Sequence, residues 1–206
     1  MQIRIAKPSD AKQLAELHWI CSADQPGGFM FRLGKGFLAA YYQIFLQETS
    51  SVVLCAENAK GQIVGLVSGS LAMEQHMSAL NRNRLRLAFA ALPFLIRHPN
   101  LIGSMIARQR SGSADTDGGS YIVLAGPREE FWAWLPSERS AGGAIELHRN
   151  WLSLMRLLGV SQVKLEVDRV NDRVEKIHRM MGAKVIKEFS TPDGRQRLVM
   201  EYLLDA

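Results

Sequence analysis

Polar and apolar positions alternate over Gln2 to Ile5 as they do in a half-buried strand. Pro8, Ser9 and Asp10 then supply the residue types that start a helix, and Leu14, Leu17 and Trp19 or Ile20 give AKQLAELHWI an apolar side. Asp24, Gln25, Pro26, Gly27 and Gly28 break it, and a second helix rich in aromatics is predicted over about Gly34 to Gln47. Val52 to Ala56 and Gln62 to Ser70 read as two strands joined by the turn composition Glu57, Asn58, Ala59, Lys60, Gly61, which makes them an antiparallel pair.

A helical pattern comes next over about Ser78 to Arg97 and again over Leu101 to Arg110, broken by His98 and Pro99. It reads as an inserted helical hairpin. Ser111 to Ser120 holds nothing suited to a core and reads as a surface loop. Tyr121 to Ala125 and Phe131 to Leu135 are both candidates for the central strand, the second favoured by the small-residue turn and strong helix on its C-terminal side. Ile145, Trp151, Leu152, Met155 and Leu158 recur at helical spacing, with Gly159 at the C-cap. Val163, Leu165 and Val167 alternate with Lys164 and Glu166 as a strand. Val174, Ile177 and Met181 mark a short helix ended by Gly182, and Ala183 to Ile186 with Arg197 to Leu203 form a closing hairpin about Thr191, Pro192, Asp193 and Gly194.

Composition narrows the class. With 206 residues, 47% hydrophobic and 22% charged, the chain can bury a sizeable core, and one domain over 1–206 is expected. No apolar run reaches the roughly 20 residues of a membrane-spanning helix, and MQIRIAKPSD lacks a secretory apolar stretch, so a cytoplasmic protein is expected. Cys21 and Cys55 have no paired spacing; no disulfide framework and no metal site is expected. The net charge of +5 is concentrated: between Glu74 and Asp115 lie Arg82, Arg84, Arg86, Arg97, Arg108 and Arg110 and no acid. Such a patch suits an anionic cofactor, a nucleotide-linked substrate, a membrane surface or RNA, and composition does not choose among them.

Chemistry concentrates in Trp134, Leu135, Pro136, Ser137, Glu138, Arg139, Ser140, Ala141, Gly142, Gly143 and Ala144, between an expected strand and a strong helix. A small-residue turn there leaves backbone N–H groups at the positive end of a helix dipole, a cradle for a pyrophosphate. Gly142 and Ala144 permit close backbone approach, and Arg139 adds charge. A nicotinamide-type fingerprint is excluded by spacing, because no third glycine follows Gly142 and Gly143 at the required interval.

This stretch resembles the acyl-CoA loop of the GCN5-related N-acetyltransferase (GNAT) family, Q/R-x-x-G-x-G/A after the fourth strand, which Arg139 to Ala144 fits with Pro136 three residues ahead. A second family element is matched by Asn171, Val174, Ile177 and Gly182. The resemblance covers the chain except roughly Glu74 to Ser120. It implies an α/β (α+β) fold with a GNAT-like mixed central sheet flanked by helices, and a helical insertion between the third and fourth strands at about 74–120. It further implies that the amides of Ser140 to Ala144 hold the pyrophosphate of acetyl-CoA, the co-substrate. The edge of Trp132, Trp134 and Leu135 would pair with the pantetheine arm, and Asn171 would lie beside that arm. The family's usual tyrosine, the acid for the departing thiolate, is replaced by His178.

An imidazolium with an ordinary pKa could protonate that thiolate, so His178 is a candidate acid, its alternative being a solvated helix position. Glu129 and Glu130, just ahead of the expected strand, are candidate bases for the acceptor amine, with Glu130 preferred, or else surface acids. His18 and Asp24 flank the acceptor side; a helix-surface histidine and a turn aspartate are the plainer readings, although Asp24 is kept as a candidate acceptor contact. Trp132 and Trp134 face one side of a strand as core. Arg84 and Arg86 are candidate anchors for an acidic group on the acceptor, against a solvated basic face; Leu87, Phe89, Leu92, Phe94 and Leu95 could instead form a dimer or membrane-surface contact.

The expected function is transfer of an acetyl or other acyl group from acyl-CoA to a primary amine of a small molecule, by direct attack in a ternary complex. Peptide or protein amines are alternative acceptors, and a CoA-binding module without turnover is an alternative of another class. Nucleic acid ranks last, since no aromatic platform accompanies the arginines.

Overall fold

The structure is a computed structural model, and it describes residues 1–22, 30–99, 122–138, 141–191 and 194–204. Asp24, Arg139, Ser140, the second half of the inserted hairpin and the loop 111–120 lie outside the described residues.

Strand β1 (Gln2–Ile5) leads through a 3-10 turn at Pro8–Asp10 into α1 (Ala11–Ser22) and then α2 (Gly34–Phe45). Asp10 fixes that entry: its carboxylate accepts from the Lys7 N–H at 2.7 Å and from Arg4 Nη1 at 2.7 Å. Next come β2 (Ser51–Glu57), β3 (Ile63–Ser70), α3 (Met73–Arg82) and α4 (Arg84–Arg97). The remainder is β4 (Arg128–Trp134), α5 (Ala141–Leu157), β5 (Gln162–Asp168), α6 (Asp172–Met180), β6 (Lys184–Ser190) and β7 (Gln196–Leu203). The mixed sheet flanked by helices, with helices inserted between the third and fourth strands, agrees with the expected fold class.

Seven strands run in the order β1-β2-β3-β4-β5-β7-β6. Neighbours are antiparallel except β4 and β5, which are parallel and joined through α5, a crossover that needs a helix. One apolar cluster packs α1 and α2 on one face of the sheet (Leu14, Leu38, Tyr42, Phe45, Leu66). The other packs α5 on the opposite face, where Leu147, Trp151 and Met155 meet Val64, Val67, Leu165 and Met200. Trp151 anchors this second layer by donating its Nε1–H to Val52 O at 2.9 Å. Gly69 makes room for it: a Cβ there would lie 2.3 Å from Trp151 Cζ2 and 2.5 Å from Arg128 O.

Helices α5 and α6 both end in a Schellman arrangement. Val160 N–H bonds Met155 O and Gly159 N–H bonds Arg156 O; Ala183 N–H bonds His178 O and Gly182 N–H bonds Arg179 O. Gly159 and Gly182 take φ of +84° and +102°, as the left-handed cap position requires.

Three boundaries differ from expectation. The central strand begins at Arg128, so Glu129 and Glu130 lie inside it rather than ahead of it. Three consecutive charged residues hide a strand from a reading that treats polar positions as outward; here Arg128 and Glu129 are buried by pairing. Ile122 to Leu124 form no strand, and the N–H groups of Ile122 and Val123 instead bond the Glu166 carboxylate at 2.9 and 2.8 Å. The inserted helical run divides at Asn83, which ends α3 and begins α4.

Candidate functional site

The parallel pair β4/β5 is joined by a single residue pair, Arg128 with Lys164. From Glu129 onward β4 has no ladder to β5, whereas β3/β4 and β5/β7 pair along their lengths. The two strands therefore part toward their C-terminal ends, leaving a strand edge of β4 unpaired among the described residues. In register, Ser68 opposes Phe131 and Gly69 opposes Glu129, so Glu130 is the extra residue of a bulge, a device that re-aims side chains.

The residues of β4 then divide between the two faces. On the α5 side, the Glu129 carboxylate bonds His148 Nε2 at 2.9 Å, and the Trp132 ring lies 4.7 Å from His148 and 5.5 Å from His178. Trp134 packs on the same side and donates Nε1–H to Glu138 O at 3.0 Å, shaping the turn that leads to α5. Leu135 lies just past the strand, its N–H still bonded to Val64 O. Trp132 Nε1 is buried and has no hydrogen-bond partner among the described residues.

His178 is buried on α6, not solvated, and its Nδ1 bonds the Tyr202 hydroxyl of β7 at 2.8 Å. Burial lowers its pKa to about 4, although the Glu129 charge acts in the other direction. At neutral pH it is therefore a neutral ring, and the imidazolium acid that the sequence suggests is replaced by a neutral N–H donor. Burial raises the Glu129 pKa, but the neighbouring His148 and His178 outweigh this and hold it below the usual carboxylate range. A Glu129 oxygen and one ring nitrogen each of His148 and His178 lie within 4.8 Å of one another, donors of the kind a divalent cation uses. Here Glu129 is held by His148 and His178 by Tyr202, so the geometry is that of a hydrogen-bonded network.

On the opposite face, Phe131 stacks flat on His18 of α1, with centroids 3.6 Å apart and planes 5° apart. His18 Nδ1 bonds the Tyr42 hydroxyl at 2.7 Å. His18 is thus a buried residue and not the surface histidine expected, and burial lowers its pKa to about 3. Glu130, partly open, pairs with Arg128 Nε at 3.2 Å. Its pKa is raised by burial, which the Arg128 charge opposes and the Glu166 charge reinforces.

The expected phosphate loop is described only from Ala141. Ala141, Gly142, Gly143 and Ala144 form the first turn of α5, just beyond the C-terminal end of β4. Gly142 is exposed, and a Cβ added there would meet nothing within 4 Å. Asn171 precedes α6 at its N-cap, just beyond the C-terminal end of β5. The first turn of α5, the unpaired edge of β4 and Asn171 thus share one end of the sheet. Arg84 and Arg86 do not join the buried groups: both are exposed at the start of α4, with Arg86 donating to Gln43 Oε1 at 2.6 Å.

His148, Tyr202 and Tyr42 escaped the sequence reading, and His18 was placed on the helix surface instead of in the core. A helical spacing signal was available for His148, which stands three residues after Ile145 and three before Trp151 on the core-facing stripe of α5.

No protein-family model matches this sequence, and no curated protein matches it. Solved structures do. The putative acetyltransferase yncA from Salmonella typhimurium, solved with its cofactor acetyl-CoA, is 15% identical with a TM-score of 0.61, covering 100% of this chain and 95% of that one. An acetyltransferase of the GNAT family from Streptococcus pneumoniae is 14% identical with a TM-score of 0.58 over 98% of both chains. The fold is that of the GNAT acetyltransferases. A spermidine N-acetyltransferase variant from Vibrio cholerae shares this GNAT fold at 11% identity and a TM-score of 0.58, covering 99% of this chain and 95% of its own. In the present GNAT fold the bulged, half-unzipped β4 carries Glu129, Glu130, Trp132 and Trp134.

Proposed function

We propose that the protein transfers an acyl group, acetyl first among them, from acyl-CoA to a primary amine of a small molecule. The observation that carries this reading is the parting of β4 from β5, with a glycine-rich helix start at the same end of the sheet. An extended amide-bearing arm can hydrogen-bond the unpaired β4 edge as a strand would, and the buried, unpartnered Trp132 Nε1 beside that edge offers one further donor. The first turn of α5, with Arg139 and Ser140 ahead of it, would hold the diphosphate, and Asn171 would lie along the arm.

In this reading Glu130 is the base: its raised pKa suits it to take a proton from the amine as nitrogen attacks the thioester carbon. The carbon–sulfur bond breaks, the amide forms and CoA leaves as thiolate. With Tyr202 donating to His178 Nδ1, the Nε2–H of the neutral ring would hydrogen-bond the sulfur and stabilise its charge without giving up a proton. Glu129 and His148 hold the ring's surroundings. His18 and Phe131 form a flat wall beside Glu130, on the side where the amine would enter, with Asp24, Arg84 and Arg86 as further acceptor contacts.

Acetyl-CoA should raise the melting temperature of the protein, and a panel of amines should elicit thiol release. Gly142→Val should retain the fold, because the position opens onto free space, yet lose CoA binding, because the new side chain would stand between the amides and a phosphate. An undiminished CoA response in the folded variant rejects the site. The replacement of the usual tyrosine by a neutral histidine favours a second reading, a CoA-binding module without turnover. It predicts the same thermal shift and no thiol release with any amine.

A further inference from the structure

Helix α4 is apolar on two opposite sides. Its inner side packs on α2: Ala91 is buried, Leu87 joins the α1/α2 cluster, and Phe94 is so close that a Cβ on Gly34 would lie 2.9 Å from its ring. About 180° around the helix, Leu85, Phe89, Leu92 and Ile96 are 69%, 71%, 47% and 69% exposed. Spacings of four, three and four residues align them in one stripe. Of the residues the sequence suggested for this contact, Phe89 and Leu92 lie on the stripe, Leu87, Phe94 and Leu95 are half-buried, and Leu85 and Ile96 complete it.

A surface helix of a water-soluble fold presents polar residues opposite its packed side. Here the outward side carries four large apolar side chains, and charge stands only at the ends, with Arg84 and Arg86 at the start and Arg97 at the finish. The sequence has no acid between Glu74 and Asp115. A second copy of this chain fits the stripe poorly: paired about a two-fold axis, the arginine-bearing ends of one helix would face those of the other, and like charges would repel. An anionic lipid surface meets both features at once, taking the apolar stripe into the headgroup boundary and the arginines at phosphate level.

We propose that α4 is a membrane-surface anchor that lies flat on anionic lipid, with Leu85, Phe89, Leu92 and Ile96 inserted and Arg84 and Arg97 against the headgroups. Because α2 supports α4 on one side and carries Tyr42 beside His18, an anchored molecule would hold its amine-binding side near the lipid surface. The acceptor would then be an amine presented at or in the membrane. Docking itself does not depend on acyl transfer.

The test is co-sedimentation of the full chain with vesicles of phosphatidylcholine alone and of phosphatidylcholine with about 30% phosphatidylglycerol, across a salt series. Binding is expected to the anionic vesicles, weakening as salt rises. The variant Leu85→Ser/Phe89→Ser/Ile96→Ser should lower the partition coefficient about tenfold or more. Arg84→Ala/Arg97→Ala should lower it on anionic vesicles and leave the residual affinity for neutral ones unchanged. The serine positions are exposed, so the variant should keep its circular dichroism spectrum and acetyl-CoA thermal shift; an unfolded variant is replaced by the single change Phe89→Ser. Absence of vesicle binding overturns the proposal, as does binding indifferent to the stripe. Concentration-dependent self-association abolished by the serine variant, without vesicle binding, also overturns it and assigns the stripe to a second copy.

Discussion

Two adjacent glutamates separate into different chemistries because a bulge falls between them. Glu129 turns toward α5 and is sealed against His148, while Glu130 turns toward Arg128 and the α1/α2 side and keeps a raised pKa. A base must be ionised to work, so its contribution is present above its pKa and lost as pH falls through it. The acid limb of kcat/KM should therefore lie above the ordinary carboxylate range. Glu130→Gln should lower kcat about 10²–10⁴-fold and remove that limb; an unchanged limb would assign the base elsewhere. At His178 the relevant property is a donor and not a titrating acid. His178→Phe keeps a ring and removes the N–H, and should lower kcat about 10–100-fold with acyl-CoA affinity unchanged. His178→Tyr should recover most of the loss by restoring a donor. Equal rates for all three would remove His178 from the leaving-group side. Both histidine replacements change the partner of the Tyr202 hydroxyl, so their melting temperatures belong beside the rates.

Elements were legible in the sequence where one physical signal governed them. The helices α5 and α6 follow their apolar spacing and stop at glycines whose positive φ requires glycine, so pattern and cap agree. Strand β4 was misplaced at its start because Arg128 and Glu129 are buried charges whose partners, Glu166 and His148, lie far away in sequence, outside any local window. The small residues Ala141 to Ala144, read from sequence as a turn, are the first turn of α5 itself. His18 and His148 were not legible, because a polar residue on an apolar stripe declares neither its partner nor its face. Packing also decides at β3, where Gly69 lets Trp151 of α5 lie on the sheet. Gly69 has no positive φ, so Gly69→Ala isolates the steric effect. It should destabilise by about 1–3 kcal/mol, a fall of roughly 2–4 °C in Tm per kcal/mol for a chain of this size. A melting temperature equal to that of the parent would mean the Trp151 ring moves aside freely.

At the scale of the whole molecule, the sheet consists of two antiparallel blocks, β1–β4 and β5–β7, that share one residue pair of ladder. Beside the apolar layer under α5, an ionic cluster closes the seam. Glu166 of β5 has a fully buried side chain. It accepts from the Ile122 and Val123 N–H groups and stands 3.5 Å from Arg128 Nη1 of β4 and 3.0 Å from Arg197 Nη1 of β7. Arg128 in turn donates to Val123 O at 2.7 Å. This cluster joins three strands and the segment before β4 at the closed end of the parting, so it fixes where the strands diverge and hence where the β4 edge becomes available. Glu166→Gln keeps the shape and removes the charge, leaving two buried guanidinium groups facing an amide; loss of one partner in such a buried cluster costs about 3–5 kcal/mol. The loss should appear as a lower Tm and as faster hydrogen exchange in β4 and β5 together, since the seam links them. Acetyl-CoA should restore part of that protection by bridging the parted strands, through ligand binding to the folded state alone. If exchange accelerated only locally at Glu166, with β4 unaffected, the two blocks would be held by α5 and not by the ion cluster.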